Sequence, residues 1–207
     1  MKPGSPEYIA KTKNMLTASD FAAACGLNPY CSRQELWERK VNGKAVEVNP
    51  NIQWGIDHEP DAINAYEVIT GSLVTAGRFC ENPSLPLLGC TPDGFIGDSG
   101  ILEAKCPQVA YSDIPVYYLC QMVGQLAITN ASFCDFVVWT PEETHIYRTS
   151  GGSKLIDGTD TAWLWMYPRL NQMLRYIGNK EKPPRFRNGG KPDPNEFRAL
   201  CSYKRIK

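Results

Sequence analysis

Thr91-Pro92-Asp93-Gly94 and Gly100-Ile101-Leu102-Glu103-Ala104-Lys105-Cys106-Pro107 decide how this chain is read. Asp98-Ser99-Gly100 is a turn signal, so the two stretches read as the arms of one β-hairpin. With a three-residue loop at Asp98-Ser99-Gly100 and Gly100 left-handed, Phe95 pairs with Glu103 and Asp93 with Lys105. Alternation along a strand then puts Asp93, Glu103 and Lys105 on one face, with Asp93 diagonal to Glu103 at about 7–8 Å between Cα atoms. A two-residue turn would move Asp93 to the other face. Two carboxylates this close can hold a divalent cation at ligand distances of ~2.0–2.1 Å, and the lysine can steer or activate a water. Such a set suits cutting a phosphodiester bond. An exposed hairpin with a cross-strand ion pair could carry the same residues. Two features argue against it. Glu103 and Lys105 sit in an apolar run where charge is costly unless paired or used. Pro92 breaks a regular strand and re-aims the acid.

Outward from the hairpin, the pattern alternates between helices and strands. Thr17-Ala18-Ser19-Asp20 opens a helix ended by Gly26, and Ser32-Arg33-Gln34-Glu35 caps a second ended near Gly43. Residues 52–69 read as a longer helix with Ile56, Ile63 and Tyr66 at helical spacing and Glu59 on the same stripe. Pro60 either sits in its first turn, with Glu59 at the cap, or kinks it. Strands are expected over 73–80, 87–97, 100–106, 133–140 and 144–149. Helices are expected over 115–129 and 160–177, the first with Gln121 and Gln125 on one face. Residues 1–16 read as irregular. The order describes an α/β or α+β domain with helices around a central mixed sheet.

Bulk properties narrow the class. The 207 residues fit one domain, and 43% hydrophobic content fills a core. No apolar run reaches the ~18–20 residues of a membrane span. The start of the chain lacks the apolar stretch of a signal peptide, so a cytoplasmic protein is expected. The eight cysteines contain no C-x-x-C pair and the chain has two histidines. Buried thiols are expected rather than disulfides, zinc or iron–sulfur ligands. Net charge is zero, yet residues 175–207 carry ten Lys/Arg against three acids, leaving the preceding residues at −7. A basic, Gly/Pro-containing segment on an acidic body fits a phosphate backbone as partner, or a solvated tail with none. Residues 1–177 are accordingly read as a single domain and 178–207 as a basic tail.

Asp93…Glu103-x-Lys105 resembles the core of the PD-(D/E)XK nucleases. Further pieces narrow the resemblance: Trp54-Gly55 with Glu59 and Ala62, Thr91-Pro92-Asp93-Gly94, Leu102 to Pro107, and Tyr118 with Gln121, Gln125 and Thr129. With Thr17-Ala18-Ser19, they are similar in order and spacing to the lambda-exonuclease and YqaJ-type viral recombinase family. The similarity runs from about residue 11 to 140 and implies a restriction-endonuclease-like core.

The resemblance implies a catalytic set of Asp93, Glu103, Lys105, Glu59 and Gln121. Asp93, Glu103 and the Ala104 carbonyl would ligate Mg²⁺, or Mn²⁺ in its place, with Glu59 directly or through water and two ions per site. Lys105 would position or deprotonate the attacking water, and Gln121 would touch that water or the phosphate. The family digests linear double-stranded DNA 5′→3′ from phosphorylated ends, leaving a 3′ single strand for an annealing protein of phage or prophage recombination. It assembles as a ring-shaped homotrimer. The arginine expected five residues before Thr17 is Thr12 here. The 5′-phosphate contacts therefore fall to Lys11 or Lys13, with Ser19, Thr91 and, more remotely, Arg33. A lysine lacks arginine's planar fork. Ser19 also reads as a simple helix cap.

Two other readings carry the same fold. One is a restriction-like or CRISPR-associated nuclease. The CRISPR type brings four cysteines around an iron–sulfur cluster, three of them near the C-terminus, where Cys201 stands alone. The other is a non-catalytic protein that binds DNA ends, which the intact Asp93, Glu103 and Lys105 disfavour. No G-x-x-x-x-G-K-[ST] phosphate loop is present.

Overall fold

Pro92 separates two β-sheets. A computed structural model describes residues 4–44, 48–150, 160–186 and 190–207. The stretch read as one strand over 87–97 is two: β4 (Leu88–Cys90) and β5 (Gly94–Ile96). Proline has no N–H for a ladder, and at Thr91-Pro92-Asp93 the chain leaves one sheet for the other. In the smaller sheet β4 lies between β1 (Leu16–Thr17), parallel to it, and β3 (Cys80–Glu81), antiparallel. The stretch expected as one strand over 73–80 is likewise split. Its first half is β2 (Val74–Ala76), in the larger sheet.

The larger sheet runs β2-β5-β6-β7-β8-β9, with β6 (Gly100–Lys105), β7 (Phe133–Trp139), β8 (Thr144–Ser150) and β9 (Tyr203–Arg205). β6 and β7 are parallel and the other pairs antiparallel, so the sheet is mixed as expected. The parallel pair requires a crossover, supplied by helix α5 (Val116–Thr129).

Alternation along β6 sets the layers. Leu102 and Ala104 face the long helix α4 (Pro50–Thr70), packing with its Ala62 and Tyr66. Ile101 belongs to the opposite core, with α5, α2 (Phe21–Cys25) and α6 (Thr161–Gly178). Of the expected stripe, α4 buries Tyr66 completely and Ile63 in part, together with Ala62, whereas Ile56 is 57% exposed. Pro60 lies inside this helix, which Asn49 caps by accepting from the Ile52 N–H at 2.9 Å. Both anticipated capping boxes form. Asp20 accepts from the Thr17 N–H, and Glu35 accepts from the Ser32 N–H while Ser32 accepts from that of Glu35. The first opens only a short 3₁₀ turn, Ala18–Asp20, before α2; the second opens α3 (Arg33–Asn42). All eight cysteines are free thiols.

Three elements at the ends of the chain have no counterpart in the sequence reading. Residues taken as irregular form α1 (Pro6–Thr12), capped by Ser5. The described part of the basic C-terminal segment also does not hang free. It forms α7 (Pro194–Leu200), buries Phe197 completely, and adds β9 to the sheet against β8. Arg187, one of the basic residues counted there, lies outside the described residues. Charge misled because the packing rests on one aromatic and backbone pairing, neither of which shows in a charge count. Phe197→Ala is expected to destabilise the protein by about 3–5 kcal/mol in urea unfolding, the loss typical of a buried aromatic. A freely solvated tail would leave the midpoint unmoved.

Candidate active site

The hairpin turns one step earlier than the residue pattern suggests. Ile96 pairs with Gly100, Phe95 with Ile101 and Gly94 with Leu102. The loop is therefore Gly97-Asp98-Ser99, and Gly97, at φ +53°, takes the left-handed position expected of Gly100. This moves each residue's partner by two positions. Two is the side-chain period, so the shared face survives the correction. Extending the register puts Asp93 across from Glu103 rather than from Lys105. Asp93 lies just outside β5, where its N–H donates to the Leu102 carbonyl at 3.0 Å. Its carboxylate accepts from the Ala104 N–H at 2.7 Å. Gly77 closes over this break. Its N–H donates to the Asp93 carbonyl at 3.2 Å, and a Cβ there would lie 1.9 Å from the Pro92 carbonyl oxygen.

Glu103 is 1% exposed and fully engaged. Gln121 donates to Oε1 and Gln125 to Oε2, each at 2.6 Å, and the Lys105 ammonium pairs with Oε1. The two glutamines sit four apart on α5, so one helix face clasps both oxygens. Gln125, expected only to share a helix face with Gln121, is completely buried and holds the acid in place. The Lys105 Nζ also lies 5.3 Å from the centre of the Tyr118 ring.

Glu59 reaches the site from the opposite layer. Its turn of α4 is held at the end of β6, where the Cys106 thiol donates to the His58 carbonyl at 3.2 Å. The His58 ring lies 3.9 Å from Trp54 and 5.2 Å from Trp139. Glu59 is three residues before Ala62 and seven before Tyr66, which explains an acid on the sheet-facing side. Its side chain remains accessible at the edge of the site.

Electrostatics bind these groups together. Burial raises the Asp93 carboxyl well above the ordinary range; the Glu103 charge adds to this, and Lys105 opposes it. Burial also raises Glu59, with Lys105 lowering it and Glu103 raising it further. For Lys105, burial works against the charge, but Glu103 and Asp93 outweigh it and hold the ammonium above the usual lysine range. Crowded carboxylates with a neighbouring carbonyl are the hard oxygen donors a divalent cation takes. Asp93, Glu103 and the Ala104 carbonyl fit such an ion in chemistry. Among the described residues no three His, Cys, Asp or Glu side chains come together to hold a metal ion. The donors here are two carboxylates and a backbone carbonyl.

The residues expected at the DNA end scatter. Ser19 is exposed, 3.1 Å from the Thr17 hydroxyl; Asp20 does the capping and leaves Ser19 available. The Thr91 hydroxyl is buried without a hydrogen-bond partner. Tyr8, on the unforeseen α1, presents its phenol to the same place: burial raises it, and the Thr91 and Thr17 hydroxyls nearby lower it. Lys11 pairs with Glu81 at 2.8 Å on the surface. Lys13 lines a recess of about 270 Å³ with Lys40 and Lys180. Arg33 is not part of this group. It is buried between Tyr176 and Phe186 and donates to Gln172 at 3.0 Å, which suits a packing role.

A mixed sheet thus carries an Asp…Glu-x-Lys set at its junction with a second sheet. The profile of the YqaJ-like viral recombinase domain matches residues 7–132, and the chain belongs to that family. Among solved structures it is similar to the alkaline exonuclease LHK-Exo from Laribacter hongkongensis. The identity is 26%, 85% of this chain and 97% of that one are covered, and the TM-score is 0.64. The same enzyme in complex with dAMP covers the same shares at 26% identity, with a TM-score of 0.67. A phage related exonuclease from Haemophilus somnus 129PT shares the fold at 13% identity, covering 80% and 96%, with a TM-score of 0.60. No curated protein matches.

Because Asp93 is raised on folding, its contribution has a defined sign. A carboxyl of raised folded pKa stabilises fully below its unfolded value of about 3.9 and loses that stabilisation as pH rises through the folded value. Asp93→Asn keeps an oxygen for the Ala104 N–H and removes the charge. The metal-free variant is expected to melt higher than the parent near neutral pH, with the gain shrinking toward pH ~4. Mg²⁺ should stabilise the parent more than the variant. Thermal unfolding with and without Mg²⁺ across this range checks both.

Proposed function

We propose that the protein is a Mg²⁺-dependent exonuclease that degrades linear double-stranded DNA 5′→3′ from phosphorylated ends. The observation that supports this most is the buried Glu103, clasped by Gln121 and Gln125, with Asp93 and Lys105 beside it in a chain of the YqaJ-like family. Asp93, Glu103 and the Ala104 carbonyl would hold the ions, with Glu59 at the edge. Bound there, Mg²⁺, or Mn²⁺ in its place, supplies charge to the attacking and leaving oxygens of an in-line displacement. The chain's own groups do the rest. The Lys105 ammonium, anchored on Glu103, orients the attacking water. Gln121 keeps Glu103 aimed at the reacting centre and can itself meet the water or the phosphate. The hydroxyls of Ser19 and Thr91, with Lys11 or Lys13, would receive the 5′-phosphate.

In this reading the products are nucleoside monophosphates and a 3′ single strand. The relative's complex with dAMP is consistent with the first. The partners are duplex ends and a single-strand-annealing protein, the assembly is a homotrimeric ring, and the compartment is the cytoplasm of a bacterial host. Lys105→Ala is expected to lose at least about a hundred-fold in digestion rate, the scale of one transition-state contact, while still binding DNA. EDTA should abolish the parent's activity. End-labelled linear duplexes and closed circular DNA, incubated with both proteins, give the answer. Equal digestion by the variant overturns the site. Cleavage of closed circles favours an endonuclease, and binding without digestion favours a non-catalytic end-binding protein.

A further inference from the structure

A line of aromatic rings leads from Lys105 to the surface. The Tyr118 ring lies 5.3 Å from the Lys105 ammonium, and the Tyr117 ring is 4.3 Å from that of Tyr118. Tyr30, from the loop between α2 and α3, meets Tyr117 edge-on at 5.8 Å. Tyr111 flanks the inner end, 6.0 Å from Tyr118. Tyr117 and Tyr118 are half-buried against the core, but Tyr30 is 81% exposed, and nearby in the chain Val109, in the loop before α5, is 79% exposed.

Packing explains the inner rings and not the outer one. Tyr30 buries almost none of its ring against the protein. It is nevertheless presented on a fixed backbone: Asn28 Oδ1 accepts from the Tyr30 N–H at 2.8 Å and from that of Cys31 at 3.1 Å. An exposed ring held in place beside a charged site, continuous with rings that reach it, has the form of a stacking platform. Burial raises the phenols of Tyr117 and Tyr118.

We infer that Tyr30, braced edge-on by Tyr117, stacks on an unpaired base of the nucleic-acid strand whose phosphate lies at Lys105. The inference rests on the nuclease reading above and adds a positioning role to residues outside the acid–lysine set. Stacking suits such an enzyme because every base offers a π-face, so the strand is held without regard to sequence. The partner is single-stranded nucleic acid. A protein ligand on the same rings would make affinity independent of the bases in the strand.

The test uses the full chain without divalent metal, so that binding is read without cleavage. The probes are a duplex with a short 5′-phosphorylated thymidine overhang and the same duplex with abasic residues in the overhang. Fluorescence anisotropy of Tyr30→Ala should show binding of the thymidine probe weakened about five- to a hundred-fold, the range of one base–aromatic contact. The parent should lose a similar factor on the abasic probe, Tyr30→Ala should lose little more there, and Tyr30→Trp should match the parent. Equal affinity of Tyr30→Ala and parent for the thymidine probe overturns the inference. So does a loss of equal size on both probes. Digestion by the parent with Mg²⁺ separates the two readings. Cleavage with base-independent binding removes the stacking platform alone, and base-dependent binding without cleavage removes the nuclease reading alone.

Discussion

The architecture turns on keeping one carboxylate charged inside the protein. Glu103 is almost wholly enclosed on the central parallel strand pair, where an unpaired charge would cost several kcal/mol. Two amides and an ammonium meet it. To do so they fix the rotation of α5 about its axis, the position of that helix against β6, and the path of Lys105 two residues further on. The acid is therefore both the charged centre of the site and the reason the crossover helix sits where it does. Such a charge stabilises the fold poorly compared with an apolar residue, and its presence is better explained by chemistry than by folding.

A second buried carboxylate works differently. Asp135 on β7 accepts from Tyr66 of α4 at 2.7 Å and is forked by Arg148 of β8 at 2.7 and 2.8 Å. Arg148 also covers the Phe133 ring, its guanidinium carbon 3.9 Å from the centre. This bidentate pair ties helix, strand and neighbouring strand together in the layer that carries Glu59. Glu103 is paired with a lysine that stays partly exposed, whereas Asp135 is consumed by its partners. One sheet thus holds two enclosed acids of the same chemistry, separated in role by what surrounds them.

What the residues revealed in advance was local. Capping boxes at Thr17 and Ser32, the Pro92 interruption and the apolar setting of Glu103 and Lys105 follow from neighbours in the chain. The grouping of Asp93, Glu103 and Lys105 was legible because the three lie within one hairpin. Gln125 was not seen as the second clasp on Glu103, since helical spacing shows which residues share a face and not what that face meets. The hairpin register escaped by one step because Gly97 and Gly100 are equally able to turn the chain. Tyr8 was lost with α1, whose seven residues carry too little periodicity to announce a helix. Phe197 and β9 were hidden by a basic composition that says nothing of one buried ring. The residues for the DNA end were the least legible, because they come from separate elements and local pattern does not show which of them the fold keeps apart, as it does Arg33.

The crossing at Thr91-Pro92-Asp93 bears on how a chain of this kind can vary. The two sheets are registered independently, each by its own ladders, and only these three residues connect β4 to β5. Residues 82–87, between β3 and β4, lie in the smaller sheet's own connection. Lengthening that loop costs little and leaves the acids undisturbed. A single residue added between Asp93 and Gly94 would instead reverse the facing of Asp93, because strand side chains alternate and β5 holds its register on β6. Tolerance to insertion thus changes abruptly within a dozen residues. The smaller sheet can absorb length variation, and the junction of Asp93 with β5 cannot gain one residue without separating Asp93 from Glu103.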